Sequence, residues 1–338
     1  MKAVVLVGGQ GTRLRPLTET VKKELLPLVD RPILDHTLDR LVRHGVHEVV
    51  LSSSYLEETF HAFLEARHGE PRITWITETE PLDTGGAIVH ALPALDTDEP
   101  FLALNGDILT DLDVTRMLAL HRDRKAAATI ALAHVQDARP YGLVPMDGDG
   151  RVLEFREKPT ELVPGDINAG TYVLEPSALD AWPPGASVSI ERTIFPTLIG
   201  DGRALYGFVS QAYWRDLGTP QAYLQATFDL LDGLVEGEPA FDAPFVAEAG
   251  RIDPAAEVGT HVVVGPGSSV EAGASVTDSV LHAGVVVGDG SRVSNSVLGP
   301  GSQVRGAVVS GSVLGEGARV LPGAELEDAR VEPGVTLP

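Results

Sequence analysis

From Val258 to Val320 an aliphatic residue returns every six positions, with occasional fives. The series is Val258, Val264, Val270, Val276, Leu281, Val287, Val293, Leu298, Val304, Val309, Leu314 and Val320. Glycine often follows, as in Val264-Gly265, Val287-Gly288, Leu298-Gly299 and Leu314-Gly315. A six-residue period with small residues around each aliphatic marks a hexapeptide β-helix. Each aliphatic points inward and the glycines allow the corners. The spacing predicts around four stacked coils, each burying its face only against its neighbours.

The chain before this stretch obeys a different grammar. Residues 1 to about 235 alternate apolar strands with amphipathic helices. Ala3 to Val7, Glu48 to Ser52, Phe101 to Leu104, Thr129 to His134 and Ala204 to Trp214 read as strands. Ile33 to His44 reads as a helix ended by Gly45, and Thr219-Pro220 opens another, Gln221 to Leu234, with threonine as cap and proline at the first helical position. This is βαβ grammar, which predicts an α/β, Rossmann-like, mostly parallel sheet covered by helices. The expected organisation is a domain over 1–235, a connecting segment over 236–254 that carries Pro239, Pro244 and Pro254, and the β-helix over 255–338.

Charge and composition narrow the function. The net charge of −22 repels nucleic acid and anionic membranes, so neither is an expected partner. No apolar run is long enough to span a bilayer. Lys2 precedes an apolar strand of only five residues, unlike a signal peptide. The chain has no cysteine, which excludes disulfides and thiolate metal sites and fits a cytoplasmic location.

Against the acidic background, the first 24 residues carry Lys2, Arg13, Arg15, Lys22 and Lys23. They surround a glycine-rich loop, Leu6-Val7-Gly8-Gly9-Gln10-Gly11-Thr12-Arg13, between the first strand and an apolar-periodic stretch that reads as helix. Glycines there let backbone N–H groups approach an anion closely, and the arginines add guanidinium groups. No Gly-Lys-Ser/Thr closes the loop as in a Walker A motif. Leu14 stands where a dinucleotide fingerprint has its third glycine. The loop therefore predicts phosphate handling of another kind, and a nucleotide ligand.

The string Gly8-Gly9-Gln10-Gly11-Thr12-Arg13-Leu14-Arg15-Pro16-Leu17-Thr18 resembles the signature of the sugar-1-phosphate nucleotidylyltransferases, G-G-x-G-T-R-L-x-P-L-T-x-x-x-P-K-x-L-x-P. Lys23 falls on the family's phosphate-binding lysine, and Lys22 replaces its proline. Asn105-Gly106-Asp107 and Trp214-Arg215-Asp216-Leu217-Gly218-Thr219-Pro220 are similar to the G-D and W-x-D-x-G-T-P motifs, whose aspartates bind the metal. Both aspartates also sit at the carboxyl ends of expected strands, where ligands bind in open α/β sheets, and are hard donors suited to Mg²⁺. Tyr141-Gly142, Glu157-Lys158-Pro159 and Asn168-Ala169-Gly170 resemble the family's sugar-site motifs. The resemblance implies sugar contacts from Gly142, Glu157 and Asn168, and a sugar-phosphate contact from Lys158. It further implies nucleotide contacts from Leu6, Gly8, Gly9, Gly11, Thr12, Arg13 and Lys23, and a left-handed β-helix. A sugar phosphate is largely dianionic at neutral pH, so the implied reaction needs positioning and charge neutralisation by Arg13, Lys23 and Mg²⁺ on Asp107 and Asp216, and no general base.

Base choice rests on Glu78-Thr79-Glu80-Pro81-Leu82-Asp83-Thr84-Gly85-Gly86, similar to the family's E-P-L-G-T-[AG]-G segment. Guanine offers two donors, N1–H and the N2 amine, and a carboxylate accepts both. Glu80 is thus expected to favour guanine, with Gly85 beside the nucleotide. Ser189-Ile190-Glu191-Arg192 with Phe195-Pro196 resembles a stretch of the guanylyltransferases that act on mannose 1-phosphate. GTP and mannose 1-phosphate are therefore the favoured substrates. Asp83 replaces the family's glycine and leaves room for another nucleoside triphosphate, or for another hexose or pseudo-sugar 1-phosphate. A regulatory subunit that binds sugar nucleotides without turnover would be expected to lack Asp107 or Asp216. A bifunctional uridylyltransferase–acetyltransferase would have a longer β-helix and a catalytic histidine. His261 and His282 are the β-helix histidines here, and both read as exposed coil-face residues. The β-helix is expected to make a homo-oligomer and to matter more for assembly than for chemistry.

Overall fold

The computed structural model describes residues 1–53, 57–157 and 160–338. They form two compact units. One holds Met1–Gly9 and Thr37–Trp214, the other Gln10–His36 and Arg215–Pro338. The glycine loop is therefore divided: Gly8 and Gly9 stay with the first strand, while Gly11 to Lys23 belong to the body that carries the β-helix.

The first unit is built on nine strands: β1 (Lys2–Leu6), β2 (Glu48–Ser53), β3 (Arg72–Thr77), β4 (Phe101–Asn105), β5 (Ala128–Val135), β6 (Gly142–Leu143), β7 (Arg156–Glu157), β8 (Gly165–Leu174) and β9 (Leu205–Ser210). Their order is β7-β6-β8-β4-β1-β2-β3, with β5 pairing both β8 and β9. β1 runs parallel to β2 and β4, β2 to β3, and β9 to β5. β8 runs antiparallel to β4, β5 and β6, and so brings an antiparallel half to the sheet. Ala3, Val4 and Val5 of β1 and Phe101 to Leu104 of β4 are all buried, as befits central strands covered on both faces. One apolar cluster packs Val4, Phe101 and Tyr172 of the sheet against Ile88 of a helix, Asp83–Leu95, and against Ile190, Ile194 and Phe195.

In the second unit the helix Pro220–Leu231 starts as expected, with the Thr219 hydroxyl accepting from the amide of Ala222 at 3.2 Å. The aliphatic period forms three parallel stacks of two- and three-residue strands. Two stacks have six strands and one has five. In register, Val264, Leu281, Leu298, Leu314 and Val331 form one ladder, and Val270, Val287, Val304 and Val320 a second. Val258, Val276, Val293 and Val309 form the third. Apart from Val258, at the open end of its ladder, these side chains are at most 4% exposed. One corner repeats through Asp278, Asn295, Gly311 and Asp328, all at positive φ between 46° and 59°. Asp, Asn and Gly tolerate this left-handed backbone best.

There are more coils than the four the spacing predicts. Strands at Phe245–Val246 and Arg251–Ile252 already pair with the coil above, inside the segment read as a connection. Strands at Glu325–Glu327 and Arg330–Val331 extend the other end. Proline and charge at both ends hide the aliphatic signal there, while main-chain pairing continues.

Candidate active site

The carboxyl ends of β1 and β2 and the loop after β3 enclose a cavity of about 210 Å³ lined by Leu6, Gly8, Gly9, Ser52, Glu78, Asp83 and Thr84, among others. Gly8 and Gly9 follow β1 after Val7, and their backbone forms one wall without side chains. Glu78, directly after β3, is 7% exposed. Its carboxylate accepts from the Ser52 hydroxyl at 2.8 Å and from the Leu82 amide at 3.2 Å. A carboxylate has about four acceptor positions, so this one retains capacity for a ligand.

The expected base reader, Glu80, is exposed and lies outside the lining of this cavity. Glu78 is the glutamate that lines it. The two are separated by Thr79; Glu78 is buried directly after β3, while Thr79 and Glu80 in the turn that follows are exposed. Gly85 is closely packed. A Cβ there would lie 2.6 Å from Ile194 Cδ1 and 2.8 Å from the Val188 carbonyl, so the glycine serves close packing of the helix on the segment beneath it. Asp83 lines the cavity with φ of +60°. The family's glycine adopts such a backbone freely, and an aspartate tolerates it. Its carboxylate caps the Thr84 amide at 2.8 Å and pairs with Arg192 at 2.7 Å.

On the other side of the sheet centre the sugar motifs converge through strand pairing. Gly142 lies opposite Glu157 in the β6–β7 ladder, and Ile167 opposite Leu143 in the β6–β8 ladder. Gly142, Glu157 and Asn168 thus sit on three adjacent strands. Asn168 Oδ1 accepts from the Gly170 amide at 2.9 Å. Trp214 donates its indole N–H to the Ala169 carbonyl at 3.0 Å and meets the Tyr141 ring edge-on at 5.4 Å. Lys158 lies outside the described residues. Asp107 follows β4, and the Gly106 amide bonds to the Leu6 carbonyl at 2.9 Å, which ties Asp107 to the end of β1.

The second unit brings together Arg13 and Asp216, with Nη2 and Oδ2 3.8 Å apart. A Cβ on Gly218 would lie 2.4 Å from Arg13 Nη2, so the glycine of the W-x-D-x-G-T-P motif makes room for this guanidinium. No α-helix opens after the glycine loop. Gly11 takes φ of +61° and Thr12–Leu14 form one 3₁₀ turn, and the first α-helix begins at Ile33. The Thr18 hydroxyl donates to the Gly11 carbonyl at 2.8 Å and locks the turn. Lys22 and Lys23 are 1% and 9% exposed; they are not a solvated surface pair.

The loop from Gln10 to His36 is fastened to the rest of its unit. Thr20 donates to Glu316 at 3.2 Å, Arg330 to the Arg15 carbonyl at 3.3 Å, and Glu238 takes both Arg31, at 2.6 Å, and His36 Nδ1, at 2.7 Å. Tyr223 donates its hydroxyl to the Pro27 carbonyl, and His282 Nε2 lies 3.1 Å from the same hydroxyl oxygen. With the phenol proton directed at Pro27, Nε2–H of a neutral imidazole is the donor of the second bond. His282 is 3% exposed, which corrects the coil-face reading: it faces Tyr223, and burial pushes its pKa down to about 4. Burial likewise pushes the Tyr223 phenol up. His261 is partly exposed, stacks on Phe228 at 4.8 Å and pairs with Asp232, whose carboxylate raises its pKa.

Among the described residues no three His, Asp or Glu side chains cluster to cage a metal ion. Mg²⁺ commonly takes one or two carboxylates together with substrate phosphates. Asp107 and Asp216 supply donors of that kind. No helix among the described residues is long and apolar enough to cross a membrane.

A model of the nucleotidyl transferase family matches residues 2–233, and a model of the GMPPB C-terminal domain matches residues 241–337. The mannose-1-phosphate guanylyltransferase of Mycobacterium tuberculosis is 38% identical over 285 residues, 82% of this chain and 79% of that protein. The mannose-1-phosphate guanylyltransferase catalytic subunit beta of Danio rerio is 40% identical over 228 residues, 66% of this chain and 63% of that one. Among solved structures, HddC from Yersinia pseudotuberculosis complexed with GMP-PN is 29% identical with a TM-score of 0.60, over 68% of this chain and 98% of HddC. The chain is a nucleotidyltransferase, a member of the nucleotidyl transferase family with a C-terminal domain of the GMPPB type.

Proposed function

We propose that this enzyme transfers GMP from GTP to mannose 1-phosphate, forming GDP-mannose and pyrophosphate. The observation that carries the base assignment is the buried Glu78 carboxylate in a cavity walled by Gly8 and Gly9. Guanine presents N1–H and N2–H donors on one edge, and a carboxylate accepts both, whereas an amide offers a donor where guanine already has one. The names of the relatives at 35–40% identity support the same base and sugar.

In this reading the sugar phosphate oxygen attacks the α-phosphorus in line, and pyrophosphate leaves. The dianionic nucleophile needs no base. Arg13 and Lys23 offset charge on the leaving pyrophosphate, Gly8, Gly9, Gly11 and Thr12 hold the phosphates, and Leu6 packs beneath the nucleoside. Lys158 holds the sugar phosphate, while Gly142, Glu157 and Asn168 orient the sugar. Asp107 and Asp216 would hold Mg²⁺, which supplies charge neutralisation at the transferring phosphate when bound. The β-helix is proposed to support a homo-oligomer.

The test is pyrophosphate release with each of GTP, ATP, UTP and dTTP against mannose, glucose and other hexose 1-phosphates. The greatest kcat/KM is expected for GTP with mannose 1-phosphate. A preferred pair with another base or another sugar would overturn the corresponding half of the proposal.

A further inference from the structure

Between the nucleotide cavity and the sugar strands lies a carboxylate to which neither motif assigns a role. Glu191 Oε2 accepts from the Thr84 hydroxyl at 2.8 Å and from the Ser189 hydroxyl at 2.9 Å. Its Oε1 accepts from the Tyr172 hydroxyl at 3.4 Å, and that oxygen accepts from Asn168 Nδ2 at 2.8 Å. Thr84 lines the nucleotide cavity, and Asn168 stands on the sugar strand. The segment around Glu191 is clamped to the cavity rim by its main chain as well. Gly86 donates to the Val188 carbonyl at 2.8 Å, Val188 to the Leu82 carbonyl at 2.9 Å, and Ile190 to the Thr84 hydroxyl at 3.1 Å.

The chemistry of the acceptor sets the direction of every bond in this chain. An ionised carboxylate accepts only. Thr84 and Tyr172 must therefore turn their protons toward Glu191 and their lone pairs outward. Tyr172 is fully buried, and its oxygen then accepts from the Asn168 amide. That leaves Asn168 Nδ2 toward Tyr172 and Oδ1 toward Gly170, so the amide cannot flip.

We propose that Glu191 is a positioning residue that ties Thr84 in the nucleotide cavity to Asn168 in the sugar site through Tyr172, so that one carboxylate sets both substrate contacts. The inference rests on the functional reading above. Glutamine at this position keeps the size but places a donor in the network. The Thr84 or Tyr172 hydroxyl then faces N–H and reverses, and Asn168 loses its fixed orientation.

The experiment is steady-state kinetics on the full chain with GTP and mannose 1-phosphate, with melting temperatures as a check on folding. Glu191→Gln should raise the KM for both substrates by about tenfold, the equivalent of one lost hydrogen bond to a charged group. Tyr172→Phe removes only the hydroxyl; it should raise the KM for mannose 1-phosphate by about as much and leave that for GTP within twofold. The double variant should show no larger sugar effect than either single one, since both break one path. A merely structural role would lower the melting temperature without this split. The proposal is overturned if Glu191→Gln leaves both KM values within twofold, or if Tyr172→Phe shifts both equally. Asn168→Ala separates the two levels. If it leaves the KM for mannose 1-phosphate unchanged, the sugar placement fails and the inference with it. If it raises that KM while Glu191→Gln does not, only the coupling fails.

Discussion

Neutral His282 makes the fold sensitive to acid in a defined window. The imidazole is buried and donates to a phenol whose own proton is committed to the Pro27 carbonyl. A second ring proton would place a charge where burial opposes it, which is why the pKa falls from 6.5 to about 4. A group whose folded pKa is depressed contributes its full stability above its unfolded pKa. That contribution is lost as the pH falls through the folded value. Here the window runs from about pH 6.5 down to about pH 4. At 1.36 kcal/mol for each pH unit, the loss is about 3 kcal/mol. His282→Gln keeps an N–H donor for Tyr223 and cannot ionise. The assay is denaturant unfolding at steps from pH 7.5 to pH 4 for both proteins. The difference between them cancels the other titrating groups, among them His121, whose pKa burial also lowers. The gap should close by about 3 kcal/mol in favour of the variant on acidification. Curves that stay parallel across the window would refute the argument that His282 is buried neutral.

Other perturbations address the chemistry. Asp107→Asn and Asp216→Asn should each slow turnover by roughly a thousandfold or more without changing the melting temperature, because a lost metal contact removes several kcal/mol of charge stabilisation; near-normal Mg²⁺-dependent rates would count against both assignments. Gly218→Ala should weaken GTP use, since the methyl group meets the Arg13 guanidinium, and an unchanged KM for GTP would show that Arg13 has room to move. Truncation after Leu234 removes Glu238, His282, Glu316 and Arg330, which fasten the loop that carries Arg13 and Lys23. It should therefore reduce kcat/KM for GTP at least about tenfold, as expected for several lost bonds, and light scattering should report any change of assembly at the same time.

Elements with one repeated physical signal were legible in the chain. Three ladders of aliphatics follow from the period alone, because each inward side chain stacks on its equivalent one coil away. The strands β1 and β4 were legible as short apolar runs, and the cap at Thr219 as a threonine before a proline. What the sequence hid is local geometry. Glu78 and Glu80 are the same residue type two positions apart, and only the turn after β3 decides which one is buried. The signal that could have found Glu78 is its place directly after the alternating strand Arg72–Thr77, whose carboxyl end opens on the site. His282 looked like a coil-face residue because its partner, Tyr223, comes from a helix 59 positions earlier in the chain. Glu191 was visible as part of a motif, but its role depends on Thr84, Tyr172 and Asn168 meeting in space. The house of the signature loop was hidden for the same reason: its fastenings are single polar side chains spread from Tyr223 to Arg330.

Base choice at Glu78 tests the account most directly. Pyrophosphate release should be measured with GTP and with dTTP, at fixed mannose 1-phosphate, for the wild type, Glu78→Gln and Glu80→Gln. The wild type should prefer GTP. Glu78→Gln sets a donor against a guanine donor, a mispairing of about 1–3 kcal/mol, and should narrow the preference by roughly tenfold or more. Glu80→Gln, at an exposed position outside the cavity, should leave it unchanged. A wild type that prefers dTTP, or a preference that moves with Glu80 and not with Glu78, would contradict the assignment of guanine recognition to the buried carboxylate.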